Sequence, residues 1–381
     1  MRAATRSAEY TTHSTAPALY LAFELGVEEW KLGFTAGVPT KIRVRVIPAR
    51  DVKRLAEEIA TAKRRFTLAD NTLVRSCYEA GPEGFWLHRH LETVGIDNRV
   101  VDSSSIEVKR RRRRAKSDGL DVRSLLGMLM RYHAGEAKVW SVVKVPTVEE
   151  EDRRQLHREL RTLKQERTRV MNRIRGLLAT QGLRLPQRRD LSAVLDTMQL
   201  WDGSPLPARL RARLQREWEH AKFLHTKILE LQRQRYAAIK HERSEVMDKV
   251  RALLHLRGIG ENSAWVYVHE FFGWREFDNR KQVGAAAGLA PTPYQSGNDS
   301  REQGISKAGS RHIRAVAIET AWCWLRYQPK SQLSRWFDAR FGHGGPRARK
   351  IGIVALARKL LIEVWRFLKN GTVPEGALLK G

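Results

Sequence analysis

Residues 19–59 read LYLAFELGVEEWKLGFTAGVPTKIRVRVIPARDVKRLAEEI, and the fold turns on this stretch. Leu19 to Glu24 is a short apolar run. Glu29 to Phe34 and Lys41 to Ile47 then alternate with the period of two that a half-buried strand requires. Asp51 opens a helical pattern, DVKRLAEEIATAKRRF, and is placed to cap it. Further out come a strand at Leu73 to Tyr78, a helix through Leu87 and Leu91, and a strand around Arg99, Val100 and Val101. A helix from about Asp118 to His133 follows a basic linker. The order βββαβαβα predicts an α/β domain, a mixed sheet with helices on both faces.

That order is the RNase H-like order. From about Val148 to Gly182 the composition shifts to Arg, Glu, Leu and Gln. Leu156, Leu160, Leu163, Val170, Ile174 and Leu177 recur at helical spacing, with Arg167 interrupting the seam. A Pro- and Gly-rich turn (182–207) separates this helix from a second over about 208–256. The pair reads as a long antiparallel coiled-coil hairpin, as half of an intermolecular bundle, or as two ordinary bundle helices. Small residues, aromatics and glycines mark a third, mainly α region. The chain thus divides into a polar tail (1–16), an α/β domain (17–146), a coiled-coil region (147–254) and a C-terminal domain (255–381).

The chain has 381 residues and a formal net charge of +28, which points to a polyanionic partner. No apolar run approaches membrane-spanning length, and the first residues lack the apolar stretch of a signal peptide. Two distant cysteines, Cys77 and Cys323, exclude a zinc finger or disulfide framework and fit a reducing cytosol.

Four carboxylates fall where this fold would gather them. Glu24 ends the first strand and Glu79 the fourth, while Asp118 and Asp121 open the last helix three residues apart, on one face. Crowded carboxylates repel unless divalent cations neutralise them, and two Mg²⁺ (or Mn²⁺) ions about 4 Å apart would activate a nucleophile and stabilise a leaving oxygen. Each residue also has an ordinary reading. Asp118 with Asp121 forms a helix-capping pair, Glu79 is a strand-end surface residue, and Glu28 and Glu29 compete with Glu24.

Lys109, Arg110, Arg111, Arg112, Arg113 and Arg114 form an unbroken cationic run before Asp118. It reads as a phosphate-gripping strap or as a solvated charge run. Gly258 and Gly260 flank Ile259 between two helices. They suit a helix–hairpin–helix whose backbone N–H groups hold phosphate, or a plain helix stop at Gly258. Ser296 sits in a Gly/Pro-bounded loop, GLAPTPYQSG, followed by Lys307, Arg311 and Arg314 in GISKAGSRHIR. A hydroxyl so placed is either a nucleophile on a phosphodiester, with cations stabilising the transition state, or a turn residue.

GLAPTPYQSG (288–297) with GISKAGSRHIR (304–314) resembles the C-terminal transposase domain of the DEDD insertion-sequence recombinases, a family that includes the pilin-gene inversion recombinase. YEAGPEGFWLHRHL (78–91) through AKSDGLDVRSLL (115–126) resembles the same family's RuvC-like domain. The resemblance implies a transposase, a site-specific DNA recombinase that assembles as a dimer or tetramer on donor and target DNA. It implies an acidic tetrad of Glu24, Glu79, Asp118 and Asp121, Ser296 as the nucleophile of a phosphoserine intermediate, and a guide RNA encoded by the element. The family pattern begins with Asp where this chain has Glu24; glutamate also ligates Mg²⁺, with one more methylene of reach. A Holliday-junction-type nuclease would need the four acids without Ser296, and a non-catalytic nucleic-acid scaffold would need neither.

Overall fold

Three strands form first, as their alternation requires: β1 (Ala18–Leu25), β2 (Glu29–Thr35) and β3 (Arg43–Pro48). The structure, a computed structural model, describes residues 17–37, 40–81, 83–106, 118–136, 138–186, 190–296 and 299–380. The polar tail 1–16 and the basic run Lys109–Arg114 lie outside the described residues. The chain divides into two compact units, one ending at Pro146 and the other beginning at Thr147.

In the first unit, β4 (Leu73–Glu79) and β5 (Asp97–Val101) complete a five-stranded sheet of order β3-β2-β1-β4-β5. The β1–β2 and β2–β3 pairs are antiparallel, and β1–β4 and β4–β5 are parallel, so the sheet is mixed as expected. Alternation divides its side chains between two cores. Leu19, Leu21 and Phe23 join Trp30, Leu32 and Phe34 against Leu55 of α1 (Val52–Arg65) and Leu87 and Leu91 of α2 (Trp86–Thr93). Asp51 caps α1, accepting a hydrogen bond from the Arg54 N–H at 2.9 Å. Ala22, Cys77 and Val101 face the other way, against Val122, Leu125, Leu126 and Leu129 of α3 (Asp118–His133).

The close seating of α3 depends on Gly33. A Cβ there would collide with Val122 Cγ1 and come within 2.9 Å of Leu126 Cδ1. Cys77, fully buried beneath the helix, has its Sγ 3.9 Å from the Leu125 carbonyl, and burial pushes its thiol well above the ordinary value.

The second unit begins with α4 (Val148–Asp152), held by a capping box between Thr147 and Glu150, and α5 (Gln155–Ala179). The short α6 (Leu191–Val194) leads to α7 (Ala208–His241), which runs antiparallel to α5. Leu160 near the start of α5 meets Ile228 and Leu231 late in α7, while Ile174 and Leu178 meet Leu214, Ala221 and Leu224. The buried seam position near the end of α5 is Leu178; the expected Leu177 packs at its margin. Arg173 clasps Glu217 across the pair with hydrogen bonds of 2.7 and 2.8 Å.

The single helix expected over about 208–256 is two. Glu242 turns extended, with ψ at 129°, and Ser244 caps a new helix, α8 (Glu245–His255), by accepting from the Met247 N–H at 3.3 Å. A serine side chain that can satisfy an orphan N–H makes restarting the helix cheap.

Beyond it lie α9 (Glu261–Tyr267), a wide π-helical turn at Val268–Phe272, α10 (Arg280–Ala286), and a hairpin of β6 (Pro291–Ser296) with β7 (Asp299–Ile305). Then come α11 (Arg311–Tyr327), α12 (Gln332–Phe337) and α13 (Pro346–Asn370), which stops at Gly371 with φ at 71°. Val250 and Leu253 of α8 share one core with Trp265, Phe271, Ile313, Trp324, Leu356 and Leu360. The C-terminal part is therefore mainly helical, with one two-stranded ribbon. No helix of the described residues is long and apolar enough to cross a membrane.

Gly33→Val places a favourable strand residue where the helix needs the space. It should destabilise the protein by about 2 kcal/mol through overpacking. Adding Val122→Ala should restore part of that loss, and thermal melts of the two variants check both outcomes.

Candidate functional site

Glu24 and Glu79 come together at the carboxyl edge of the sheet. The β1–β4 register pairs Phe23 with Tyr78, so the next residues, Glu24 and Glu79, stand side by side on parallel strands. Phe23 and Tyr78 enter the core beneath α1 and α2, and alternation therefore gives both glutamates to the α3 face. Glu24 is half-buried and Glu79 exposed. Lys31, opposite Glu24 on β2, sets a cation beside that carboxylate. Glu28 lies in the β1–β2 turn, and Glu29 begins β2 on the side of β1 away from β4.

The start of α3 reaches the same edge. Val122 and Leu126 sit over Gly33, whose partner is Ala22, and Tyr20, earlier on β1, meets His133 with ring centroids 6.2 Å apart. The helix consequently runs antiparallel to β1. Its first turn, bearing Asp118 and Asp121, lies at the end where Glu24 and Glu79 emerge. The carboxyl ends of parallel strands are where open α/β sheets bind ligands.

In the second unit, Ser296 is the last residue of β6, paired with Asp299. The expected loop is therefore a strand; Gly297 and Asn298, which join the strands, lie outside the described residues. A Gly-Asn dipeptide between Thr292/Tyr294 and the following polar run is a hairpin signal, and reading the prolines alone as loop punctuation obscures it. Pro293 removes a ladder donor, and the register shifts between Pro291 and Pro293.

The foot of the hairpin is tightly bound. Ser306 N–H donates to the Ala290 carbonyl at 2.8 Å, and Ser310 N–H to Ala286 at 3.1 Å. Gly309, at φ 103°, lies so close that a Cβ would strike the Ala286 carbonyl, and one on Gly288 would strike Ala308. Lys307 is exposed, with φ at 56°. Arg311 is exposed at the start of α11. Arg314 turns inward, donating from Nη1 to the carbonyls of Lys307 at 3.1 Å and Ala287 at 3.4 Å. Gly258, at φ 91°, packs against the α11 backbone at Cys323 and Trp324, whereas Gly260 caps α9 at the surface.

A further cluster carries no signal in the linear sequence. His157 of α5, Glu270 of the π-helical turn and His312 of α11 bring one donor atom each within 4.8 Å of one another. His157 Nε2 is 2.9 Å from Glu270 Oε1, and His312 Nδ1 is 3.9 Å away. Arg158 spans the carboxylate, donating from Nε at 2.6 Å and Nη2 at 3.0 Å. Burial alone would raise the Glu270 carboxyl, but hydrogen bonds from the flanking histidines and Arg158 hold it far below the usual range. Burial lowers His157, against the pull of Glu270. The neutral ring then donates its Nε2 proton to the carboxylate. The result is an ion-pair lock joining three elements, with α5 more than a hundred residues before the π-helical turn and α11 well after it.

Residues 250–334, spanning α8 to the start of α12, match the profile described as the Transposase IS116/IS110/IS902 family. Similarity to curated proteins extends much further. The chain is 40% identical over 376 residues, 95% of each chain, to a protein of Sinorhizobium fredii described as "Putative transposase y4rJ". It is 29% identical to the "Probable family 20 transposase" of Pseudomonas aeruginosa, over 60% of this chain and 67% of that one. It is also 26% identical to the transposase for insertion sequence element IS1328 of Yersinia enterocolitica, over 57% and 63%. The class is thus that of insertion-sequence transposases. Within it, the chain belongs to the IS116/IS110/IS902 transposase family.

Two outcomes follow from the buried cluster. Glu270→Gln leaves Arg158 without its counter-charge, and since Arg158 is half-exposed, the cost should be about 2 kcal/mol, below the range for fully buried pairs. His269, tilted at 40° against Trp265 with ring centroids 4.3 Å apart, has its pKa lowered by burial from 6.5 to about 3. Between those values the unfolded chain binds the proton and the folded chain does not, so stability must fall as pH drops below 6.5. His269→Phe should flatten the melting-temperature slope between pH 7 and 5, as thermal denaturation across that range would read.

Proposed function

We propose that the protein cuts and rejoins DNA through a covalent phosphoserine link at Ser296, with Glu24, Glu79, Asp118 and Asp121 as a divalent-metal site. What supports this reading is that Glu24 and Glu79 stand side by side at the carboxyl edge of the sheet and that the first turn of α3, which carries Asp118 and Asp121 in sequence, begins at that edge. In this reading the first unit is an RNase H-like (RuvC-like) catalytic domain. An all-oxygen, carboxylate-rich donor set suits a hard cation, Mg²⁺ or Mn²⁺, and not zinc. Such an ion, when bound, would polarise phosphate oxygens and lower the cost of forming an alkoxide.

The chemistry asked of Ser296 is transesterification. Its Oγ attacks phosphorus, the bond from phosphorus to a sugar oxygen breaks, and the departing sugar takes up a proton. A second sugar hydroxyl then reverses the step and frees the serine, so bond energy is conserved without a cofactor that is consumed. A serine at the tip of a short ribbon, whose foot at the other end is tightly fastened with Lys307 and Arg311 exposed beside it, can reach a phosphate while those cations hold phosphates further along the strand.

The partner is DNA, which the names of the relatives and the net charge of +28 favour. The run Lys109, Arg110, Arg111, Arg112, Arg113 and Arg114, together with the exposed Gly260, would add phosphate contacts, whereas Gly258 and Arg314 face neighbouring backbone and serve the fold. An element-encoded guide RNA follows from the family resemblance. Assembly into dimers or tetramers is favoured by apolar residues left exposed on α7, Phe223, Leu229 and Tyr236, which a coiled-coil partner would cover. The functional division we infer is 17–146 for the carboxylates, 147–254 for assembly and 255–381 for the serine.

A suicide DNA substrate tests the mechanism. Wild-type protein should become covalently attached, and Ser296→Ala and Asp121→Asn should each lose the adduct while retaining DNA binding. If sites are shared between protomers, mixing the two variants should restore part of it. An adduct that persists in Ser296→Ala would remove this residue and favour a junction nuclease.

A further inference from the structure

Beneath the hairpin, the second unit holds a cavity of about 840 Å³. Pro291, Gly304 and Ile305 at the foot of β6 and β7 form one side, and α12 and α13 form the others. Its composition is divided. The floor is apolar, made by Leu289, Leu333, Trp336, Ile351 and Val354. The rim carries eight Lys or Arg side chains against one acid, Glu363, which Arg366 already neutralises at 2.7 Å.

Neither half is explained by packing. Ile351 is 56% exposed, which leaves a large apolar side chain facing the opening. Lys359 Nζ rests 4.5 Å over the Trp336 ring. Arg358 Nε is shielded from solvent and has no acceptor among the described residues, in a cavity rimmed by other cations. Each of these groups is suited to a ligand that is anionic at its edges and flat and apolar in its middle.

We propose that this cavity holds an unpaired nucleotide, its base on the floor of Leu333, Trp336, Ile351 and Val354. The flanking phosphates then lie on Arg347, Lys350, Arg358 and Lys359. The proposal rests on the reading of this unit as one that processes DNA, and names which part of the nucleic acid it takes. A duplex fits poorly, because its bases face one another and the volume is that of a small-ligand site. A plain polyanion would satisfy the rim and leave the apolar floor in water. Stacking on an aromatic floor beneath a cationic groove is how single strands are bound without sequence readout. Ser296 lies five residues further along β6, on the order of 16 Å away, so the unpaired base belongs a few nucleotides from the bond under attack. Extruding a base nearby would open the strand for cleavage.

The test compares the full-length protein on a perfect 30-base-pair duplex and on the same duplex with one central unpaired thymine, by fluorescence anisotropy. Matched RNA duplexes, with an unpaired uracil, ask whether the nucleotide comes from DNA or RNA. The bulged substrate of at least one type should bind about tenfold tighter. Photo-crosslinking through 5-iodouracil at the unpaired position should mark a peptide within 332–366. Ile351→Glu, at an exposed position that folding does not need, should abolish the preference and the crosslink, with perfect-duplex affinity changed less than threefold. Equal affinity for bulged and perfect duplexes in both types, with crosslinks elsewhere, would overturn the proposal and leave the cavity to a protein segment. Failure to bind any of the duplexes would instead overturn the reading of the unit as DNA-processing.

Discussion

A missing side chain governs the first unit. Because Gly33 has no Cβ, Val122 and Leu126 sink onto the sheet, and α3 lies close enough to share one core with Ala22, Cys77 and Val101. The helix axis is thereby set antiparallel to β1, which carries its first turn to the edge where Glu24 and Glu79 emerge. Like charges gathered in one place raise the free energy of the fold unless something compensates them, so the geometry must be held by apolar contact elsewhere. Here Glu24 and Glu79 stand side by side at the rim of two independent cores, which supply that rigidity from both faces of the sheet.

The second unit is held by a different device. Glu270 gathers Arg158, His157 and His312 from helices far apart in sequence, and it does so from a π-helical turn. Such turns widen the backbone locally and re-aim one side chain, a feature common at functional positions. The cluster lies two residues before Arg314, whose guanidinium pins the Lys307 carbonyl at the foot of the hairpin. The long-helix pair and the serine ribbon are thus tied to a common anchor within one unit. Much of the GLAP and SKAGSR pattern serves that anchor: Gly288 and Gly309 are there because two stretches of backbone touch.

How far this could be read from sequence follows from which interactions are local. The strands, α1 and α3 were legible because a period of two, a period near 3.6 and an aspartate cap are written in neighbouring residues. Glu24 and Glu79 were legible for the same reason, as strand ends in a recognisable order. The break at Glu242 was not, since the apolar spacing continues through it and only Ser244 marks the restart. The hairpin was obscured by its prolines. The Glu270 cluster could not be seen at all: its members are separated by 42 residues or more in the chain, and a lone His on an apolar face usually means nothing beyond packing. The basic cavity was hidden likewise, because Lys307, Trp336 and Lys359 come from separate elements.

The helix α7 has a mechanical meaning apart from its seam. Its 34 residues rise about 51 Å, and one end is embedded through Ile239 in the large C-terminal core. The other end is gripped by α5 and the apolar residues Leu191, Leu195 and Leu206. Between α7 and α8 lies only the short break at Glu242 to Ser244. Over the length of α7, a change of ten degrees in the helix axis amounts to about 9 Å at the far tip. The arm is also a ruler: seven inserted residues would lengthen it by about 10.5 Å and nearly keep its faces, whereas five would turn the outer stripe to the opposite side. The spacing between whatever partners meet at its two ends is therefore adjustable only in steps close to whole pairs or triples of turns, such as seven or eleven residues.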